Sequence, residues 1–265
     1  MTDLDAAALR AAYDAQLRTI DPDVPGVTFE MDGPVHRGYG SPGGGFVVYR
    51  DLGGLAGADL DAVIARQRDF FAARGEEVEW KLHAHDEPAD LSTRLEAHGF
   101  APQERETIVI GAIAPLAAAL PVPPPGVRLR EVSERADLDR IARMETEVWG
   151  DDRGWLADTL ADEIAAHPAV ITVVVAEDEQ TNEVVSAGWI RFVPGTAFAT
   201  LWGGSTLAAY RSRGIYRALV AHRARLADAN GYTLLQVDAS DDSRPILERL
   251  GFVAVTTTTP YVYHP

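Results

Sequence analysis

The sequence predicts a protein of the α+β or α/β class in two domains, and three observations carry that reading. The segment PLAAALPVPPPG at 115–126 concentrates prolines. These neither continue a helix nor donate to a strand ladder, so the segment reads as a stiff connector. It divides the chain into 1–115, a linker over 116–126, and 127–265, both flanking parts being domain-sized. The second observation is the order of hydrophobic periods in the C-terminal part, β-α-α-β-β-β-α-β-α-β. The third is a partial echo of that order in the N-terminal part.

The C-terminal elements follow in order. VRLRE from Val127 alternates like a strand. Leu138, Ile141, Met144 and Val148 keep helical spacing, with Asp137 as the expected cap. A second helix fits Trp155 to Ala166 and stops at Pro168. AVITVVVAE is a continuous β-branched run, as in a buried strand. EDEQTNE then turns the chain, and VVSAGWIRF returns as a hairpin partner. AFATLWGGSTL is a third strand whose Gly203-Gly204 pair predicts a bulge or a close backbone approach. Ile215, Leu219 and Leu226 share a helix face that ends near Gly231. LLQVDA is a strand, SRPILERLGF a short helix, and FVAVTTTTPYVYHP one or two closing strands.

In the N-terminal part, helix ADLDAVIARQRDFFAARG, strand EEVEWKLHAH, helix PADLSTRLEAHGF and strand ETIVIG repeat the later sequence of elements. Leu95-Glu96-x-x-Gly99-Phe100 matches Leu247-Glu248-x-x-Gly251-Phe252. A weak internal duplication is the reading, against the alternative that helix-Gly-aromatic is merely a common helix ending.

Composition narrows the function. The 265 residues include 40 acidic and 24 basic, a formal net charge of −16, which argues against wholesale nucleic-acid binding. There is no cysteine, so disulfides, thiolate metal sites and a cysteine nucleophile are excluded. No apolar run reaches membrane-spanning length, and the N-terminal MTDLDAAALRAAYDAQLR reads as an amphipathic helix, not as a secretory signal. A cytoplasmic protein without a membrane partner is expected.

Against that acidic background, YRSRGIYRALVAHR stands out: Arg211, Arg213, Arg217 and Arg223 surround Gly214 where a helix begins. A helix start leaves N–H groups unpaired and adds positive potential. Gly214 lets backbone approach oxygens closely, and Arg211 and Arg213 can add charge-assisted hydrogen bonds. A diphosphate fits such a place. The plain alternative is a solvated basic helix.

Strand, Arg211-Ser212-Arg213-Gly214-Ile215-Tyr216, helix resembles the R-x-x-G-x-[G/A] acetyl-CoA loop of the GCN5-related N-acetyltransferase (GNAT) superfamily. The resemblance covers 127–265 well and the first part only in part, as in tandem members with one degenerate and one active copy. Tyr216 stands where the family has a small residue. The resemblance implies two domains, each with a mixed, mostly antiparallel sheet flanked by helices. It implies that acetyl-CoA, as co-substrate, places its pyrophosphate on the N–H groups of Ser212, Arg213, Gly214, Ile215 and Tyr216. Its pantetheine would run beside Ser205, Thr206 and Leu207, where a backbone N–H polarises the thioester carbonyl. A primary amine of a small molecule would attack directly in a ternary complex, with no metal. Two copies in one chain supply dimer-like contacts, so a monomer is expected in preference to a homodimer.

The sequence departs from the family at the proton carriers. The usual tyrosine of the last helix is Leu247, the usual asparagine nearby is replaced by Asp241, and no carboxylate occurs over Thr200 to Trp202. Ser243 and Tyr216 are the candidate proton donors. Asp238, Glu145 and Glu147 are the candidate bases, each with a structural alternative: a strand-end cap for Asp238, solvation for the glutamates, a helix cap for Ser243.

The first part has no R-x-x-G before its helix, only Arg50 nearby, so it is expected to bind no coenzyme in the usual way. SPGGG at 41–45 reads as a hairpin turn in preference to a phosphate loop, because no helix follows. His83 and His85 read as a strand-end pair, or as two ligands of a metal site without an identifiable third. Trp149, Trp155 and Trp202 line an acceptor pocket or sit in the core. Two rivals to catalysis stand: a non-catalytic acyl-CoA-binding module, and a protein whose arginines dock on an acidic partner.

Overall fold

A computed structural model describes residues 5–19, 25–119 and 122–265. The chain forms two compact units: one takes in Met1–Ile108, Asp238–Arg244 and Ala254–Pro265, the other Val109–Val237 and Pro245–Val253. Among the described residues, no helix is long and apolar enough to cross a membrane.

The first unit starts with α1 (Ala6–Gln16), capped by the Asp5 carboxylate on the Ala7 N–H at 3.0 Å. Strands β1 (Thr28–Asp32), β2 (Val35–Tyr39) and β3 (Gly45–Val48) form an antiparallel meander. The SPGGG stretch is the turn between β2 and β3, closed by Gly44 N–H on the Ser41 carbonyl at 3.1 Å. Helix α2 (Gly57–Arg74) buries Leu60, Val63, Ile64, Gln67 and Phe71, the spacing of one helix face, and ends on left-handed Gly75. β4 (Val78–His83) runs parallel to β3; α3 (Leu91–Ala97), β5 (Ala101–Pro102) and β6 (Glu106–Ala112) follow.

A short helix, α4 (Ile113–Ala118), takes in the first three residues of the predicted 116–126 linker. Pro115 is tolerated because it lies in the first turn, where its missing N–H costs no helical bond. Leu120 and Pro121 of the linker lie outside the described residues.

The second unit contains β7 (Val127–Val132), α5 (Arg135–Trp149), α6 (Trp155–Ala166), β8 (Ile171–Asp178), β9 (Val184–Phe192), β10 (Phe198–Thr206), α7 (Ile215–Ala229), β11 (Leu234–Ala239) and α8 (Arg244–Arg249), the last two reaching into the first unit by a few residues. β7, β8, β9 and β10 are antiparallel neighbours, and β11 joins β10 in parallel. Leu138, Ile141, Leu160, Val174, Val185 and Leu219 form its core. Asp137 is not the cap of α5: Glu134 holds that position, while Asp137 sits in the first turn bonded to Arg130 and Arg140. Three guanidiniums converge there on Asp137 and the buried Glu177, and that ionic demand outweighs capping.

The closing residues form one strand, β12 (Val253–Tyr263), paired antiparallel with β4 of the first unit from Thr258–His83 to Tyr263–Val78. Tyr261 lies opposite Trp80, and both are buried in the first core. The two LE-x-x-GF segments end their helices identically. Gly99 bonds Glu96 and Phe100 bonds Leu95 at 3.0 and 3.1 Å; Gly251 bonds Glu248 and Phe252 bonds Leu247 at 3.0 and 3.1 Å. All four apolar side chains are buried. Leu247 is thereby committed to packing.

Candidate functional site

The site is built where β10 leaves its neighbours. β10 pairs β11 only from Phe198–Leu234 to Thr200–Gln236, although β10 continues to Thr206 and β11 to Ala239. Against β9, the register of β10 shifts between Gly203 and Ser205. Gly203 and Gly204 have φ of +65° and +100°, so the bulge needs glycine. It also needs the space. A Cβ on Gly203 would come within 2.6 Å of the Trp189 ring, and one on Gly204 within 2.6 Å of the Tyr216 ring. Bulge and close approach, alternatives in the sequence, both hold.

Below the bulge lies Arg223, buried on α7. Its Nη1 donates to the carbonyls of Trp202 and Trp189 at 3.0 and 3.2 Å, and its Nε to Leu219 at 3.2 Å. Burial lowers its pKa to about 10. Of the four arginines in the stretch, Arg211, Arg213 and Arg217 are exposed and Arg223 is core. Sequence reasoning grouped it with the others; its signal was the helical spacing with Leu219, Val220 and Ala227, which places it on the buried face.

After β10 the chain makes a short 3-10 turn at Ala208–Tyr210 and opens into the loop. Ser212 is left-handed at φ +61° and Gly214 at φ +88°, and no side chain caps α7. Left-handed residues on either side of Arg213, before an uncapped helix, leave backbone N–H groups of the kind that can meet an anion. Arg211 Nε donates to the Thr206 carbonyl at 3.0 Å. The Arg213 guanidinium lies 4.9 Å from the Tyr210 ring, and Tyr210 donates to Asp178 at 2.8 Å. Ser212, Arg213 and Gly214 are exposed, and Ile215 is buried as the first helix anchor. Tyr216 lies over Gly204, and burial raises the pKa of its hydroxyl. Leu207 is buried, its N–H on the Val185 carbonyl at 2.9 Å. Thr206 exchanges a 2.9 Å hydrogen bond with Ser186.

Ser205 carries the least expected contact. Its Oγ donates to Glu145 Oε2 at 2.9 Å, and Trp149 Nε1 donates to the same oxygen at 2.8 Å. Glu145 is buried, and its Oε1 has no hydrogen-bond partner among the described residues. Burial raises its pKa. Glu147, two residues on, faces solvent. Helical periodicity separates them: 145 shares a face with 138, 141 and 149, and 147 does not. The three tryptophans are not core: Trp149, Trp155 and Trp202 are among the most exposed large apolar residues of the chain.

The remaining candidates lie in the first unit. Asp238 is ion-paired with Lys81, which also lies 3.5 Å from Glu106. Burial disfavours the Lys81 charge, but Asp238, Glu79 and Glu106 outweigh it and raise its pKa. Ser243 bonds back to Ser240 before α8 at 3.3 Å. His83 bonds the Tyr13 hydroxyl at 3.0 Å, and His85 bonds Thr256 and Asp14. Among the described residues no three His, Cys, Asp or Glu side chains converge as a metal site would need.

Residues 136–252 match the family described as Acetyltransferase (GNAT) family. A GCN5-related N-acetyltransferase from Kribbella flavida superposes with a TM-score of 0.71 at 17% identity, covering 100% of this chain and 97% of that one. A tandem GNAT protein from the clavulanic acid biosynthesis pathway gives 0.66 at 13%, covering 98% and 92%. A Staphylococcus epidermidis protein of unknown function gives 0.65 at 14%, covering 92% and 96%. At these identities the likeness is one of fold. No curated protein matches the sequence.

Proposed function

From the match of residues 136–252 to the acetyltransferase (GNAT) family, we propose that this protein transfers an acetyl group from acetyl-CoA to the amine of a small molecule, by direct attack within a ternary complex. The observation that carries this reading is the loop at the uncapped start of α7, with Ser212 and Gly214 left-handed, which follows β10 after a short 3-10 turn where β10 has left its parallel neighbour. The residues present fit the group. Ser212 to Tyr216 offer N–H donors to a diphosphate, Arg211 and Arg213 add charge, and Ser205 to Leu207 offer backbone to an extended pantetheine. Acetyl-CoA supplies an activated thioester; the chain supplies position, charge and proton transfer.

In this reading Glu145 is the base. Its carboxylate, held at Oε2 by Ser205 and Trp149, takes the proton of the attacking amine. A carboxylate whose pKa is raised by burial is better matched to an amine near neutrality. Tyr216 holds a proton beside the bulge and is the candidate donor. Asp238 and Ser243 are assigned structural work, with Lys81 and Ser240. The exposed Trp149 and Trp202 flank the acceptor. The first unit is read as a copy that shares the LE-x-x-GF helix ending but lacks the arginine-glycine loop. Action in the cytoplasm, as a monomer and without a metal belongs to the same reading.

A second reading, a non-catalytic acyl-CoA-binding module, draws support from Leu247, whose position is spent on the core. Calorimetric titration of acetyl-CoA, followed by thiol release with a panel of amines, separates the two. Binding with release supports the enzyme, binding without release for any amine supports the module, and no binding rejects both.

A further inference from the structure

The second unit exposes a patch that acetyl transfer by itself does not require. Of the five large apolar side chains exposed among the described residues, three are tryptophans of this unit, and two of these are tied down. Trp149, 60% exposed, donates its indole N–H to Glu145 Oε2 at 2.8 Å and to Ser205 Oγ at 3.1 Å. Trp202, 48% exposed, donates to Thr200 Oγ1 at 2.8 Å. Each ring also carries a guanidinium: Arg153 lies 5.0 Å from the Trp149 ring and Arg191 4.7 Å from the Trp202 ring. A side chain left in water ordinarily keeps its rotamer freedom, and these two are restrained without being buried. Order established before a ligand arrives lowers the cost of binding it.

The bulge brings both indoles to one face. Along β9, Ala187, Trp189 and Arg191 alternate onto the same side of the sheet. Their partners on β10 are Ser205, Trp202 and Thr200, so Trp202 and Ser205 share that side although three positions separate them. The extra residue is taken up at Gly203–Gly204. Glu145 and Trp149 of α5 both bond Ser205, which places them on this side as well. The charges here are not equivalent. Arg191 is bonded through Nε and Nη2 to Glu163, at 2.6 and 2.8 Å, and Arg153 bonds Asp151 at 3.1 Å. Glu145 is hydrogen-bonded by two neutral groups, the Ser205 hydroxyl and the Trp149 indole, so the carboxylate beside the rings is the one with no cation bonded to it.

We propose that the acceptor is an amine carrying an aromatic ring a few bonds from its nitrogen, with the ring packed against the Trp202 and Trp149 indoles and the nitrogen toward Glu145. An indole face is apolar and electron-rich, so it takes a flat ring well, and restrained indoles select planar ligands over flexible chains. The Glu145 carboxylate attracts the ammonium form in which such an amine arrives at neutral pH. The inference rests on the acetyl-transfer reading for calling this amine the acceptor; the ring site itself is read from these side chains.

The test is calorimetric titration of the full chain, alone and with CoA present, by 2-phenylethylamine, 2-cyclohexylethylamine, propylamine and glucosamine. Wild type, Trp202→Leu, Trp149→Leu and Trp155→Leu are compared, with thermal melting to check folding, and thiol release from acetyl-CoA is followed with the same amines. The expected result is that 2-phenylethylamine binds at least tenfold tighter than propylamine and glucosamine and severalfold tighter than the cyclohexyl amine. That preference should disappear in Trp202→Leu and Trp149→Leu and persist in Trp155→Leu. If Trp149→Leu does not fold, Trp202→Leu, whose indole bonds only Thr200, decides alone. No binding of any amine, equal binding of all four, tighter binding of glucosamine or of the cyclohexyl amine, or a preference that survives in Trp202→Leu overturns the proposal. Binding and turnover are read separately. Ring preference without thiol release upholds the ring site and overturns acetyl transfer; thiol release without ring preference does the reverse.

Discussion

The Glu145 carboxylate on α5 accepts a 2.9 Å hydrogen bond from the Ser205 hydroxyl on β10, two positions past the glycine where β10 breaks register with β9. The bulge and the acidic side chain therefore occupy one spot. One Glu145 oxygen is tied down by Ser205 and Trp149; the other is buried without a partner.

Glu145→Gln is expected to lower kcat by about 10²- to 10³-fold, the range of a lost general base, with acetyl-CoA affinity unchanged. Because burial raises the Glu145 pKa, wild-type activity should fall on the acid side at a higher pH than an ordinary glutamate would give. The base works only when deprotonated, so the loss accompanies falling pH. A pH–rate profile of the wild type, set beside the flat acid limb expected of Glu145→Gln, checks both. An unchanged profile sinks the assignment.

Gly214 adopts φ +88°, which costs an L side chain about 1–2 kcal/mol. Gly214→Val should combine that strain with a side chain at the proposed diphosphate site. Acetyl-CoA affinity is expected to drop at least tenfold by calorimetry, and Arg213→Glu should do the same through charge reversal. If both variants bind as the wild type does, the diphosphate lies elsewhere.

Arg223→Ala should be a stability variant. It opens a cavity and strands the Trp189 and Trp202 carbonyls that the guanidinium holds. The expected cost is about 2–5 kcal/mol, read by urea unfolding. Arg223→Lys should recover only part of it, since an ammonium lacks the planar fork.

Burial pushes the Asp86 carboxyl up, but hydrogen bonds from His83 and Tyr49 and the Arg18 charge outweigh it and hold it at about 2, below its usual 3.8. The depressed value means the folded state favours the charged form. That contribution is present above the unfolded pKa and is lost as pH falls from about 4 to 2. It amounts to about 2 kcal/mol. Unfolding of Asp86→Asn and of wild type at pH 6 and pH 2 should show a gap that narrows in acid; a constant gap would contradict the linkage.

Trp149 and Trp202 are exposed beside Ser205 and Thr200 through their indole N–H bonds. Trp202→Ala should raise KM for the amine severalfold and leave acetyl-CoA binding intact. A change in acetyl-CoA affinity alone would remove Trp202 from the acceptor side.

Much of this was legible in the chain itself. VVSAGWIRF, LLQVDA and Trp155 to Ala166 fall on β9, β11 and α6 with their bounds as read, because alternation and helical spacing are local properties. The turn at Gly214 was legible for the same reason: left-handed geometry is written in the glycine. What the tertiary structure decided is everything that depends on which surfaces meet. Nothing local says that β12 pairs with β4, that Arg223 turns inward while Arg211, Arg213 and Arg217 face out, or that Glu145 and not Glu147 meets Ser205. Strand pairing and the burial of a charge are set by contacts between residues far apart in sequence, and a charge keeps the same letter whether water or a carbonyl surrounds it.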